Sequence, residues 1–549
     1  MRQRLIALFA ILLPALAGCA REAGLFSEQN ARAHVEMLAG TIGSRPIGTD
    51  ANTRARAYLI DQLKLYGLDV RVQEADARRA TLGRTAHVSN IIATLPGTRP
   101  EALGLLAHYD SSPQAPGAAD DGLGVAVVLE TARVLAARQN RQWTTYVMLT
   151  DGEESGLMGA AALMTDRTIT DHLKAYINIE AVGAGGPAML FETGPGNGWL
   201  VGPWARRAPH PRGGSYSVEI YRRLPNDTDF SILKLQEIPG LNFAAVGDSH
   251  AYHTARDTPE RLSPATLRDT GENVVAIATA FDGVDITRRS TGEATYFDIG
   301  STSALSYGPV AGWALALLSI VAGGLAWVRV VRAAIRIEGT GRWLLTFVWT
   351  LLGAAVVVAA MVGATWALRA SREVYHPWYA SPNRLMALLV TVGASLGWGI
   401  ARLGRWLPAR AHGVRHPIVT WSITLPAWIA LALVTLWYAP SAAYLWTLPL
   451  LAAGALLLIV PPASGAGIRA ASVLVLAVTA TLWLRETVEL FRFAVAVFGR
   501  LPIVTPAFAY GALLAAAGLM IVPPLVAAIG ASRPVLRPSV LTVACLLAV

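Results

Sequence analysis

Beyond about residue 310 the chain passes through one long apolar run after another with almost no acidic residue between them, which rules out a wholly soluble fold. Residues 301–549 hold 4 of the 37 acidic and 17 of the 46 basic residues; the other 33 and 29 precede them. Runs near 309–330, 343–368, 385–401, 418–437, 441–460, 470–484 and 504–528, with an eighth beginning near 538, each come close to the ~20 residues that a helix needs to cross a bilayer. The predicted order is an N-terminal targeting segment over 1–23, a globular domain over 24–295, a linker over 296–308, and an all-α polytopic membrane domain of seven to eight helices over 309–549. The net charge of +9 is then no sign of a nucleic-acid groove, because the surplus arginine lies between apolar runs, where it sets topology.

That arginine is unevenly shared. Arg329, Arg332, Arg336, Arg342, Arg402, Arg405, Arg410, Arg415, Arg469, Arg533 and Arg537 fall on one side of the runs; Arg369, Arg372, Arg384, Arg485, Arg492 and Arg500 fall on the other. The richer side belongs in the cytoplasm, which leaves the globular domain outside. The N-terminus agrees: Arg2 and Arg4 precede an apolar stretch, Leu5 to Leu16, followed by Leu16-Ala-Gly-Cys19. That tetrapeptide resembles a bacterial lipobox, and the alternative is an uncleaved signal anchor; either one exports the globular domain. The expectation is a multi-pass protein of a bacterial cell membrane with its globular domain on the periplasmic or extracellular side. Cys19 and Cys545 are the only cysteines, so no intramolecular disulfide framework is available. Ionisable residues are nearly absent from the spans, which argues against an ion pathway, and Glu486 and Glu489 fall in an amphipathic, interfacial stretch over 485–498.

Within 24–295 short apolar runs alternate with helical patterns. A helix is predicted over Thr53 to Tyr66, ending at Gly67, and another over Val125 to Ala137. Strands are predicted at Val88 to Leu95, Leu103 to Ala107, Thr144 to Leu149 and Ala175 to Ile179. This alternation gives an α/β class with a mixed sheet flanked by helices. Three of the runs end in chemistry: the first of them in His108-Tyr-Asp110, the next in Asp151-Gly-Glu153-Glu154, the last in Glu180. In open α/β sheets such strand ends converge at one edge. Between the first two lies Gly117-Ala-Ala-Asp120-Asp121-Gly122, whose glycines suit a tight loop presenting carboxylates. Acids and a histidine gathered at one edge would repel one another unless a cation held them, so a divalent ion bound by imidazole nitrogen and carboxylate oxygen is the economical reading. Singly, each residue also reads as a helix cap, a solvated helix start or an ordinary strand-end histidine.

The ordered set His108-x-Asp110, Gly117-Ala-Ala-Asp120-Asp121, Asp151-Gly-Glu153-Glu154, Asn178-Ile-Glu180 and Tyr252-His253-Thr254-x-x-Asp257-Thr258 resembles the co-catalytic zinc aminopeptidases of metallopeptidase family 28, clan MH. Ser44-Arg-Pro-Ile-Gly-Thr and Asn90 to Gly97 are similar to that family as well, so the likeness covers roughly residues 28–285. It is nearest to the membrane-anchored branch that includes endoplasmic reticulum and vacuolar membrane metallopeptidases. The resemblance implies a zinc aminopeptidase-like fold and two zinc ions per chain. One would be held by His108, Asp120 and Glu180, the other by Asp120, Glu154 and His253. It further implies Glu153 as general base, Asp110 orienting His108, Asp257 supporting His253 in the same way, and a cis peptide bond between Asp120 and Asp121. Glu180 stands where many soluble members carry aspartate.

The implied activity is release of N-terminal residues, with peptide or small-protein substrates and membrane lipid as partners, no nucleic acid, and the oligomeric state open. Three other readings share the fold: a glutaminyl cyclase, which binds one catalytic zinc; a carboxypeptidase; and a peptidase accessory to a membrane transporter. A non-enzymatic scaffold is disfavoured because every ligand position is filled. His250, three residues before His253, reads as a pocket or surface residue, and Asn226-Asp-Thr-Asp229-Phe230 resembles the family's pocket-lining loop. A histidine and carboxylate set accepts manganese or cobalt as well as zinc.

Overall fold

A computed structural model of the chain describes residues 25–224, 226–288, 292–404, 416–500 and 506–529. The targeting segment, both cysteines, the run from 538, and Arg405, Arg410, Arg415, Arg533 and Arg537 lie outside the described residues, as does the Arg500 side chain. The chain divides into two compact units, Met1–Pro309 and Val310–Val549.

In the first unit the elements run α1 (Glu28–Val35), α2 (Asp50–Leu65), β1 (Asp69–Arg79), β2 (Arg84–Leu95), β3 (Arg99–His108), α3 (Gly122–Ala136), β4 (Trp143–Thr150), α4 (Met158–Leu163), β5 (Leu173–Ala181), β6 (Gly185–Thr193), β7 (Gly240–Gly247) and α6 (Pro264–Ala280), with α5 (Asp229–Leu235) preceding β7. The sheet order is β1-β2-β4-β3-β5-β7-β6. Strands β4, β3, β5 and β7 are mutually parallel and the outer strands antiparallel, so the sheet is mixed, in agreement with the class read from the sequence. Helices cover both faces. Leu103, Leu105, Val147, Leu149, Ile177 and Ile179 point into a core shared with Leu59, Val128, Val274 and Ile277. Leu106, Tyr146, Met148 and Tyr176 point the other way, onto Ala160, Leu163, Phe230 and Leu233. A strand buried on both faces has no polar side to show, which is why β3, β4 and β5 stand out in sequence as unbroken apolar runs.

Residues 296–308 are not a linker. Strands β8 (Thr295–Ile299) and β9 (Ser303–Tyr307) form a hairpin on the first unit. Tyr296 is fully buried edge-on against Trp204, and its carbonyl accepts from the Ser215 amide at 2.8 Å. Asp298 is buried with Arg212, Oδ2 to Nη1 at 2.7 Å, and also accepts from the Gly213 amide. The period-2 placement of Tyr296 and Asp298 on one inward face explains the packing; over five residues it is too short to register as a strand pattern.

The second unit is helical: α7 (Pro309–Glu338), α8 (Thr340–Arg372), α9 (Pro382–Leu403), α10 (Pro417–Tyr438), α11 (Tyr444–Ile459), α12 (Gly465–Arg500) and α13 (Phe508–Ile529). Six are long and apolar enough to cross a membrane, and the 16-residue α11 is shorter, so among the described residues this is a multi-pass membrane domain. The stretch over 485–498 continues α12 without a break; Phe491 and Val495 are buried with Trp378, Leu389 and Tyr510, so its apolar side packs on protein. Indole N–H groups bind across helices, Trp343 to Ser422 Oγ and Trp421 to Ser472 Oγ, both at 2.9 Å, as polar groups in an apolar medium require.

Two buried polar groups of the first unit can be tested directly. Asp298→Ala removes one partner of the buried Arg212–Asp298 ion pair, which should cost about 3–5 kcal/mol and appear as a lowered unfolding midpoint with the fold otherwise kept. His34 is buried between the hydroxyls of Tyr58 at 2.6 Å and Tyr66 at 3.1 Å. Burial, partly opposed by Glu130, lowers its pKa from 6.5 to about 4. The unfolded imidazole binds a proton that the folded one refuses, so this group removes stability as pH falls from 6.5 towards 4 and nothing further below that. The loss is about 3 kcal/mol at most, and His34→Phe should flatten the dependence of the unfolding midpoint across that window.

Candidate metal centre

The carboxyl ends of the parallel strands supply the site. His108 closes β3, Asp151 to Glu154 follow β4, Glu180 is the penultimate residue of β5, and His253 stands in the loop after β7. Two groups of donors form there. His108 Nε2 lies 3.2 Å from Asp120 Oδ1 and 3.8 Å from Glu180 Oε2. His253 Nε2 lies 3.0 Å from Asp120 Oδ2 and 3.0 Å from Glu154 Oε1. In each group one donor atom per residue falls within 4.8 Å of the others. Asp120 belongs to both and turns a different oxygen to each.

The donors fit divalent cations. Asp120 Oδ2, Glu154 Oε1 and His253 Nε2 are buried, face one another, and have no hydrogen-bond partner. Buried polar atoms are otherwise paired, and a shared cation is what this set of imidazole and carboxylate atoms can hold. Protonation reflects the crowding. Burial raises Glu180 to about 8, with His108 opposing and Asp120 and Asp229 adding to the rise. Burial acts downward on His253, but the adjacent Asp120 and Glu154 carboxylates hold it up at about 9. The groups differ in access: the His108 side chain is 1% exposed and that of His253 38%.

The loop carrying Asp120 is fixed from several directions. Its peptide bond to Asp121 is cis. Asp121 caps α3, accepting from the Gly124 amide at 3.0 Å, and also accepts from the His108 amide at 3.3 Å. A Cβ at Gly124 would fall 2.3 Å from the Asp121 carboxylate, so only glycine fits. Asp257 does not support His253; it accepts from the amides of Ala119 at 2.8 Å and Asp120 at 3.1 Å, and so ties the His253 loop to the Asp120 loop. Arg45, absent from the sequence reading as a functional residue, is fully buried and donates to the carbonyls of Tyr109, Pro116 and Gly117. Only the likeness of Ser44 to Thr49 to a known motif pointed towards it.

The acidic pair after β4 is held by its backbone. Asp110 lies 3.3 Å from His108 Nδ1 and accepts from the amides of Glu153 at 3.1 Å and Glu154 at 3.3 Å, so one carboxylate orients both the imidazole and the loop. Asp151 is a latch, accepting from Asn52 Nδ2 and the Ser89 amide. Asn178 Nδ2 donates to Glu180 Oε1 at 3.1 Å and leaves Oε2 for the His108 side. Glu153 belongs to neither group. Burial raises its pKa well above the ordinary range; His108 opposes, while Glu180, Asp229 and Glu154 add to the rise. His250 is in neither group. Asp229 begins α5, accepts from the Thr150 hydroxyl, and is raised by burial to about 6.

Residues 90–278 match Peptidase family M28. The match lies wholly within the first unit. Human endoplasmic reticulum metallopeptidase 1 is 29% identical over 317 residues, covering 53% of this chain and 35% of the human protein. The vacuolar membrane protease of Lachancea thermotolerans is 33% identical over 222 residues, covering 39% of this chain and 23% of its own. A solved Zn-dependent exopeptidase from Parabacteroides distasonis aligns at 20% identity with a TM-score of 0.38, over 46% of this chain and 97% of that one. The chain spans about a third of the length of the first curated relatives it matches. The M28 match begins within β2 and ends within α6, so it contains both donor groups but neither Arg45 nor the β8–β9 hairpin.

Asp257→Ala frees the backbone that presents Asp120 while leaving every donor in place. It should weaken zinc affinity about 10- to 100-fold, read by competition with a fluorescent chelator; unchanged affinity would leave the Asp257 clamp without consequence for the centre.

Proposed function

We propose that this chain is a membrane-anchored M28 aminopeptidase that binds two zinc ions and releases N-terminal residues from peptides. What carries the reading is Asp120, whose two oxygens each approach a different histidine. A single-ion glutaminyl cyclase would leave the close trio of Asp120 Oδ2, Glu154 Oε1 and His253 Nε2 buried without purpose. The relatives' names as metallopeptidase and protease, and the family match, support hydrolysis. The seat is a bacterial cell membrane with the M28 unit on the outer, periplasmic side. The arginines of the described residues favour it: Arg329, Arg332, Arg336, Arg342, Arg402 and Arg469 against Arg369, Arg372, Arg384, Arg485 and Arg492.

His108, Asp120 and Glu180 would hold one ion, and Asp120, Glu154 and His253 would hold the other. When bound, such ions polarise a carbonyl and acidify water. Glu153 is the general base: its carboxylate takes a proton from the attacking water and returns it to the departing amine. Burial, with the acids around it, raises its proton affinity above that of an ordinary carboxylate. Asp110 keeps Glu153 in place through its amide, and the half-exposed side of the centre at His253 leaves room for a chain end.

Glu153→Gln in the full chain should keep about two zincs and lose about 10²–10⁴-fold in hydrolysis of aminoacyl-arylamides. Near-normal turnover would remove Glu153 from this role, and cleavage of N-acetylated peptides as readily as free ones would exclude an aminopeptidase. Asp120→Ala should lose both ions together; a variant that keeps two tightly bound zincs would refute the bridge.

A further inference from the structure

We infer that Arg79 is a specificity-determining anchor for a carboxylate on the substrate, a reading that rests on the peptidase function proposed above. Arg79 ends β1 and pairs with Arg84 at the start of β2, and residues opposed in an antiparallel ladder share a face. Two steps back on that face, Ala77 is buried against α4 with Val88, Met158 and Ala162. The next position outward therefore faces the loop that joins β4 to α4, which carries Glu153 and Glu154. Two contacts put the hairpin tip on that loop: Arg84 Nη1 donates to the Ser155 carbonyl at 3.1 Å, and a Cβ at Gly156 would lie 2.9 Å from Leu82 Cδ1.

Arg84 is thus engaged with the loop backbone, and Arg71, further back on the same strand, is paired with Asp166 at 2.6 Å. Arg79 is different. Its Nη1 is buried and has no hydrogen-bond partner, and no ion pair holds it among the described residues. The Asp229 carboxyl lies within its electrostatic reach without closing on it; that carboxyl accepts from Thr150, and its Oδ1 is likewise buried and unpartnered. An arginine without a hydrogen-bond or ion-pair partner among the described residues, beside the loop that carries Glu153 and Glu154, is a ready counter-charge for an anionic group of the substrate. A carboxylate matches the guanidinium fork with two parallel hydrogen bonds. The source is either the free C-terminus of a short peptide or an acidic side chain beyond the scissile bond.

The test uses the full chain in detergent, loaded with zinc, and three peptides: Ala-Ala, Ala-Ala-amide and Ala-Glu-amide. For at least one of the two carboxylate-bearing peptides the KM should be about tenfold or more below that of Ala-Ala-amide. Arg79→Gln should raise that KM about tenfold, leave kcat within about threefold, and leave Ala-Ala-amide unaffected, with Arg79→Lys recovering part of the loss. A preference for Ala-Ala assigns the C-terminus and a preference for Ala-Glu-amide the side chain. Calorimetric binding of the same peptides to Glu153→Gln separates this inference from the function. Carboxylate-selective binding lost in Glu153→Gln/Arg79→Gln, with no hydrolysis by the unaltered chain, would sink the peptidase and keep the anchor. Equal KM values for all three peptides, or an equal effect of Arg79→Gln on each, would overturn the anchor and leave the peptidase standing.

Discussion

A carboxylate with two oxygens can serve two neighbours only from a fixed position, and the first unit is built around fixing the backbone that presents Asp120. Its amide and that of Ala119 are held by Asp257, its neighbour Asp121 is fixed between α3 and β3, and Arg45 grips the turn that precedes it. Each restraint comes from a different part of the chain. Residues 45, 108, 121 and 257 must therefore be assembled by the whole sheet before the centre exists, so the site and the fold form together rather than the first being mounted on the second.

The opposite problem is excess negative charge. Asp110, Asp120, Asp121, Glu153, Glu154, Glu180 and Asp229 crowd one sheet edge, and among the described residues Arg45, His108, His253 and, for Asp229, Arg79 act against them. Burial and mutual repulsion raise the Glu180 and Asp229 carboxyls, which hold protons more tightly than free acids do. Binding a divalent ion and shedding those protons are then two descriptions of one event.

What the sequence disclosed and what it hid divide along physical lines. Strands β3, β4 and β5 are buried on both faces, so their apolar runs and the polar residues ending them could be read directly, and with them His108, Glu153, Glu154 and Glu180. Strand β1 is an edge strand with charges on alternate positions and offers no such contrast. The β8–β9 hairpin is short and rich in serine, and a linker was read over 296–308. Arg45 acts on carbonyls contributed by Tyr109, Pro116 and Gly117, and no spacing of residues announces a carbonyl. Asp257 could be singled out from its motif but not aimed: whether it served His253 or the Asp120 loop depends on how two loops meet.

The uneven burial of the two donor groups has a kinetic corollary. A site lined by a 1% exposed imidazole exchanges its contents with solvent through fluctuations of the surrounding protein, whereas one that includes a 38% exposed imidazole is open to small chelators directly. Ions occupying the two would leave on separate timescales, the His253 side first, and the protein would pass through a half-emptied form with a lifetime of its own.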